Sequence, residues 1–189
     1  MQAQTAVAFS QALAWRRVAA VVLGSALVAA AAQVSVPLPG TPVPMTLQPL
    51  AVLVVGGLLG PSLGAASLIG YLALGAAGAP VFTPSPLLPQ GVARLLGPTG
   101  GYLLAYPVAA YAVGRIAADG RRWTRTVVGV FMGIVLIHLG GLAQLMIITR
   151  SAGQAARFGT LPFLLGDLVK VAIAVLILRR FASPLRARL

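Results

Sequence analysis

The chain has 189 residues, 59% hydrophobic and only 8% charged, with a mean hydropathy of +0.95. No water-soluble domain of this length hides so much apolar surface in its own core, so composition predicts an integral membrane protein. Cysteine is absent, which excludes disulfides, thiolate nucleophiles and thiolate metal sites. The net charge of +12 comes from 14 Lys and Arg against two acidic residues.

The arginines fall in groups: Arg16 and Arg17 ahead of the first apolar stretch, Arg115, Arg121, Arg122 and Arg125 around one connection, and Arg179, Arg180, Arg186 and Arg188 at the end. Six crossings put all three groups on one face, the positive-inside arrangement of a cell-membrane protein with both termini cytoplasmic. Attraction to anionic membrane lipid accounts for such groups, and no nucleic-acid partner is expected.

The first span is predicted over 18–35. Its arginine pair, apolar run and "AAAAQ" also fit a cleaved secretory signal; the arginine distribution works best with the segment retained. "VPLPGTPVPMTLQPL" follows, with five prolines between Pro37 and Pro49, and reads as an irregular, shaped connection. The second span, 47–60, rises only about 21 Å against a hydrocarbon core of about 30 Å. Part of the preceding loop is therefore expected at bilayer depth, where irregular backbone must be buried in protein or line a cavity. "GPSLG" turns the chain into a third span over 62–78.

A second outer loop, "APVFTPSPLLPQGVARLLGPTGG", leads to a fourth span at 100–118. The basic loop 119–125, a fifth span at 126–149, the outer stretch "RSAGQAARFGTL" and a sixth span at 162–181 complete the expectation. It is a single all-α integral membrane domain over 1–189, with six transmembrane helices and ordered extracytoplasmic loops. Long ordered loops on one face usually form a binding site or its lid.

Of the two acidic residues, Asp167 lies inside the sixth span. A lipid-facing aspartate costs about 2.5–3.5 kcal/mol on insertion scales, so it should face the bundle interior. Lys170, three residues on, shares its helical face. The two form either an ion pair that locks helix packing or one wall of a polar ligand pocket. Arg94 is the one basic residue of the second outer loop. It precedes "GPTGG", where Thr99 reads as an N-cap and Gly100 and Gly101 would let an anionic ligand approach a helix N-terminus; Arg94 could then clamp a carboxylate. His138, alone in the fifth span, reads as a hydrogen-bonded packing residue. The tyrosines and tryptophans read as interface or core aromatics. Small residues at four-residue spacing in the first span, Ala26 with Ala30 or Ser25 with Ala29, permit close helix approach, within the bundle or onto a partner.

Catalysis has little footing. A paired intramembrane carboxylate is missing, because Asp119 sits in the basic loop, and metal ligands do not cluster. There is no G-x-x-x-x-G-K-[ST] loop to bind nucleotide. Neither metal nor cofactor is expected.

Four stretches, "PVPMTLQPLAVLVVGGLLGPSLGA", "YLALGAAGAPVF", "GPTGGYLLAYPVAA" and "GDLVK", span most of 42–170, and through them the chain resembles the BioY family, the biotin-specific S components of energy-coupling-factor transporters. After "GAPVF" the family often continues with a glycine-rich run. Here "TPSPLLPQ" intervenes, so ligand contacts from that run are not carried over.

The resemblance implies a six-helix membrane protein that captures biotin from outside and associates with a transmembrane coupling subunit and cytoplasmic ATPases. On that reading Asp167 accepts from the ureido N–H groups, Lys170 reaches the ureido carbonyl, and Arg94 with the Gly100–Gly101 helix start takes the carboxylate. Phe82 and Tyr102 contact the rings, and Ala26 and Ala30 dock the coupling partner. A second copy of the chain stays open as a partner, and a proton-coupled carrier using Asp167 is the competing function.

Overall fold

The computed structural model describes residues 2–85 and 89–189, with residues 2–10 given by backbone alone. Positions 86–88, inside the "TPSPLLPQ" stretch, lie outside the described residues. The chain runs α1 (Gln2–Gln33), β1 (Ser35–Val36), β2 (Met45–Thr46), α2 (Gln48–Leu59), α3 (Pro61–Ala76), α4 (Val92–Leu96), α5 (Gly100–Ile116), α6 (Trp123–Thr149), α7 (Ala152–Gly159), a 3-10 turn (Leu161–Phe163) and α8 (Leu164–Arg186). Three segments are long and apolar enough to cross a membrane, Gln11–Gln33, Trp123–Thr149 and Ala152–Arg186, with shorter apolar helices at Gln48–Leu59 and Pro61–Ala76.

Several boundaries differ from expectation. Helix α1 begins well before position 18, because no glycine or proline interrupts the sequence until Gly24. Helix α8 starts at Leu164 rather than 162, since Leu161–Phe163 form the tighter turn, and it continues through Pro184 to Arg186. The proline-rich connection is more regular than expected. Its ends pair as a short antiparallel bridge with Ser35 opposite Thr46, and Thr41 Oγ1 donates to the Phe158 carbonyl at 2.6 Å, tying the loop to the end of α7. Helices α4 and α7 were not anticipated; five and eight residues are too short for periodicity to reveal. Ser151 caps α7 by accepting from the Gln154 N–H.

Helix α2 is the axis of the bundle. Residues 51–57 are buried without interruption, as expected for a helix that is apolar on every side. At twelve residues it rises about 18 Å, and the hairpin extends the column at its N-terminal end. Gly60, at φ +87°, closes α2 and opens α3, with Pro61 supplying the first residue of the new helix. That left-handed backbone favours glycine.

Where α2, α3 and α5 cross, the backbones meet through glycine. A Cβ on Gly56 would collide with the Ala110 backbone, one on Gly64 with Gly56 Cα at 2.8 Å, and one on Gly114 with Pro61 N at 2.5 Å. Close backbone approach of this kind is how helices associate in lipid, where apolar burial gives little preference for protein over acyl chain. Arg186 seals the same end: its Nε and one terminal nitrogen donate to the Gly57 carbonyl at 3.0 and 2.6 Å, and that nitrogen also reaches the Gly114 carbonyl at 3.1 Å. Large apolar side chains such as Leu23, Ile147, Leu165 and Leu176 are exposed on the outside of the bundle, the surface that suits acyl chains.

Two alanine substitutions separate these roles. Gly114→Ala forces a Cβ into backbone and should destabilise by about 1–3 kcal/mol, lowering the thermal midpoint in detergent. Gly153→Ala, with nothing nearer than Ser151 Oγ at 4.0 Å, should be neutral or stabilise α7 by up to about 1 kcal/mol.

Candidate functional site

The site forms because the 3-10 turn delays the start of α8. Asp167 consequently lies in the first turn of the helix, where the unpaired N–H groups and the dipole favour a carboxylate. Its side chain is 8% exposed. Lys170, one turn on, donates from Nζ to Oδ1 at 2.9 Å, which realises the expected same-face pair. The other oxygen, Oδ2, lies 2.7 Å from Nε2 of His138 on α6. A carboxylate with both oxygens held still has lone pairs to offer.

These groups face a cavity of about 60 Å³ walled by the hairpin, α2, the segment before α5, and helices α5, α6 and α8. Phe82, Tyr106, Ile134, Ile137 and Phe163 give it an apolar body. The same cavity is lined by a second polar cluster built around Gln48, at the start of α2. The Gln48 amide donates to Tyr71 Oη at 2.6 Å, and its carbonyl accepts from Thr83 Oγ1 at 2.9 Å and Thr46 Oγ1 at 3.3 Å.

Arg94, on α4, is 1% exposed and also lines the cavity. It donates to the Thr83 carbonyl at 2.9 Å and the Pro89 carbonyl at 2.7 Å, so it organises the loop as well as placing a cation at the wall. Burial pulls its pKa down from the ordinary arginine value, yet a guanidinium stays protonated at neutral pH. Among the described residues, the lining carries two fixed cations, Arg94 and Lys170, against the single carboxylate of Asp167. A monoanionic ligand completes that charge balance.

The structure therefore brings Asp167, Lys170, Arg94, Phe82 and Tyr102 to one cavity. Tyr102 is held there by donation from Oη to the Gly159 carbonyl at 2.5 Å. Gly100 and Gly101 are a correction. They do not line the cavity; a Cβ on Gly100 would collide with the Leu95 carbonyl and one on Gly101 with the Gly140 carbonyl. The close approach they allow is protein to protein, and the Gly100 N–H is already taken by the Gly97 carbonyl at 3.0 Å. Thr99 occupies the N-cap position without a side-chain cap bond. It lines the cavity instead, its Oγ1 buried and without a partner among the described residues.

His138, Gln48, Thr46 and Thr83 were missed as site residues. Local spacing does not mark them as cavity residues: His138 meets Asp167 and Gln48 meets Thr83 and Tyr71 from distant segments, and Thr46 bonds Gln48 two positions on. A buried glutamine at a helix start was the one available signal. In α1, Ser25 is buried against α3, its Oγ donating to the Ser67 carbonyl at 2.7 Å, whereas Ala26 and Ala30 are exposed.

Comparison with known proteins bears on this geometry. The BioY family model matches residues 3–187. The chain is 41% identical over 167 residues to a probable biotin transporter BioY of Pyrococcus horikoshii, covering 87% of this chain and 95% of the relative. It is 33% identical to the biotin transporter BioY of Thermotoga maritima, covering 82% and 89% respectively. The crystal structure of an S-component for biotin from an ECF-type ABC transporter superposes with a TM-score of 0.78 at 27% identity, covering 87% of this chain and 89% of that one. With the family matched over nearly the full length and the same helical architecture in a solved S-component, the chain belongs to the BioY family.

Proposed function

We propose that the chain is the membrane-embedded, substrate-binding subunit of an ECF-type transporter and captures biotin in the Asp167 cavity. The observation that carries this reading is the pairing of a donor-held carboxylate with net positive charge in one apolar cavity. Biotin has the complementary features: two ureido N–H donors, a ureido carbonyl, an apolar bicycle and chain, and a carboxylate. Asp167 accepts from the ureido N–H groups, Lys170 donates to the ureido oxygen, Phe82 and Tyr102 flank the rings, and Arg94 faces the carboxylate. Thr99 Oγ1 is a further polar atom available to the ligand.

At about 60 Å³ the cavity has room for a few waters, so a bicyclic ligand enters only when a wall gives way. The hairpin is a wall without a long helix behind it, and its displacement would open the cavity to the ligand.

Six of the helices, α1, α2, α3, α5, α6 and α8, are proposed to cross the membrane as one domain. The arginine groups and both termini then face the cytoplasm, and the hairpin, α4 and α7 face outside. Uptake against a gradient needs energy from elsewhere, since no nucleotide-binding loop occurs. A transmembrane coupling subunit with cytoplasmic ATPases fills that role, docking on the exposed Ala26–Ala30 face of α1; the solved S-component of similar structure comes from an ECF-type ABC transporter.

Equilibrium binding of labelled biotin to the purified chain tests the core of the proposal, and absence of saturable binding overturns it. Asp167→Asn replaces the anionic acceptor and should weaken binding on the order of a hundredfold, the loss of two hydrogen bonds from the ureido N–H groups to a charged oxygen at about 1.5 kcal/mol each, in a protein that still inserts and folds. Near-wild-type affinity in that variant would remove Asp167 from the site.

Arg94→Ala should weaken all ligands somewhat by loosening the loop, but biotin about tenfold more than its methyl ester, the size of one charge-assisted hydrogen bond of about 1.5 kcal/mol. Equal losses for acid and ester would leave Arg94 a purely structural role. Ala26→Trp or Ala30→Trp should abolish co-purification with the coupling subunits and ATP-dependent uptake yet spare biotin affinity. Unchanged co-purification would place the docking surface elsewhere.

A further inference from the structure

His138 is the single histidine of the chain, and its place in the site is not explained by helix packing. Lys170 holds Oδ1 from the same helix, one turn away, so that bond moves with α8 and cannot by itself fix the carboxylate relative to the rest of the bundle. The 2.7 Å contact from His138 Nε2 to Oδ2 does so from α6. We propose that His138 is a positioning residue for ligand recognition: it anchors Asp167 across the α6–α8 contact and aims the remaining carboxylate lone pairs into the cavity.

The chemistry assigns the tautomer. A carboxylate only accepts, so Nε2 carries the proton and a neutral ring keeps Nδ1 as an acceptor. Nδ1 is buried and has no partner among the described residues, while His138 lines the cavity, so a water donor can complete it. A second observation explains why this anchor is needed. Asp167 and His138 also line an apolar crevice between α6 and α8, together with Phe131, Leu139, Leu164 and Leu168; the leucines and Phe131 are exposed on the outer surface. Without a donor at Oδ2, the carboxylate has an apolar gap on that side and is free to turn away from the cavity. His138 therefore acts through Asp167, and its effect belongs to the part of the ligand that Asp167 reads.

The inference rests on the biotin-capture reading. Its test uses labelled-biotin equilibrium binding to the full chain, purified in detergent without a polyhistidine tag. His138→Leu should weaken biotin at least thirtyfold with little change in thermal midpoint. His138→Gln, whose amide N–H falls near the position of Nε2, should recover affinity to within about fivefold of wild type. In an Asp167→Asn background, His138→Leu should add less than threefold. The nitrogen spectrum of the single labelled histidine should show the Nε2–H tautomer.

Wild-type affinity in His138→Leu, no rescue by Gln, an undiminished loss in the Asp167→Asn background, or the Nδ1–H tautomer would each overturn the inference while leaving biotin capture intact. Failure of the unmodified chain to bind biotin overturns both.

Discussion

A single carboxylate buried in an apolar helical bundle constrains the rest of this structure. An ionised aspartate is tolerated there only if its charge is balanced and its oxygens are satisfied, and three separate features meet that requirement. The 3-10 turn places Asp167 at the positive end of α8, Lys170 follows one turn later, and His138 reaches across from α6. The first two act within α8, and the His138 contact at 2.7 Å ties the carboxylate to α6.

The other polar cluster of the cavity is organised by a different device. Gln48, Thr46, Thr83 and Tyr71 form a connected set of hydrogen bonds, and Arg94 gathers the Thr83 and Pro89 carbonyls. Irregular backbone near a membrane needs its polar groups met internally, and Arg94 does so for two carbonyls of the second connection, those of Thr83 and Pro89. A network held by side chains on loops can rearrange more readily than a helix crossing sealed by glycine. The fold thus couples an end where Gly56, Gly64, Gly114 and Arg186 lock α2, α3, α5 and α8 to an end held by side-chain hydrogen bonds around the cavity.

Much of the site was legible before any coordinates. Asp167 and Lys170 announced themselves because ionisable residues are so scarce in this chain, and Arg94 because it stood alone in its loop. The failures share a cause. Gly100 and Gly101 looked like room for a ligand, but the sequence of one helix does not say which neighbour lies against it, and here Leu95 and Gly140 do. Thr99 was read as a cap from its position, although its hydroxyl makes no cap bond. His138 was read as a hydrogen-bonded packing residue, and the bond is there, but its partner, Asp167, is 29 positions away and could not be named.

Composition and charge order alone determined that this is a helical membrane protein, because apolar content and arginine placement answer to the solvent rather than to any particular fold. The spacing of Asp167 and Lys170 likewise determined their pairing, since a helix brings residues three apart to one face. Only the tertiary structure decided which side chains from other segments complete that pair, that Gln48 and Thr83 line the same cavity, and that glycines at the head of α5 serve protein contact. Those outcomes depend on the relative rotation and depth of separate helices, and no local periodicity encodes them.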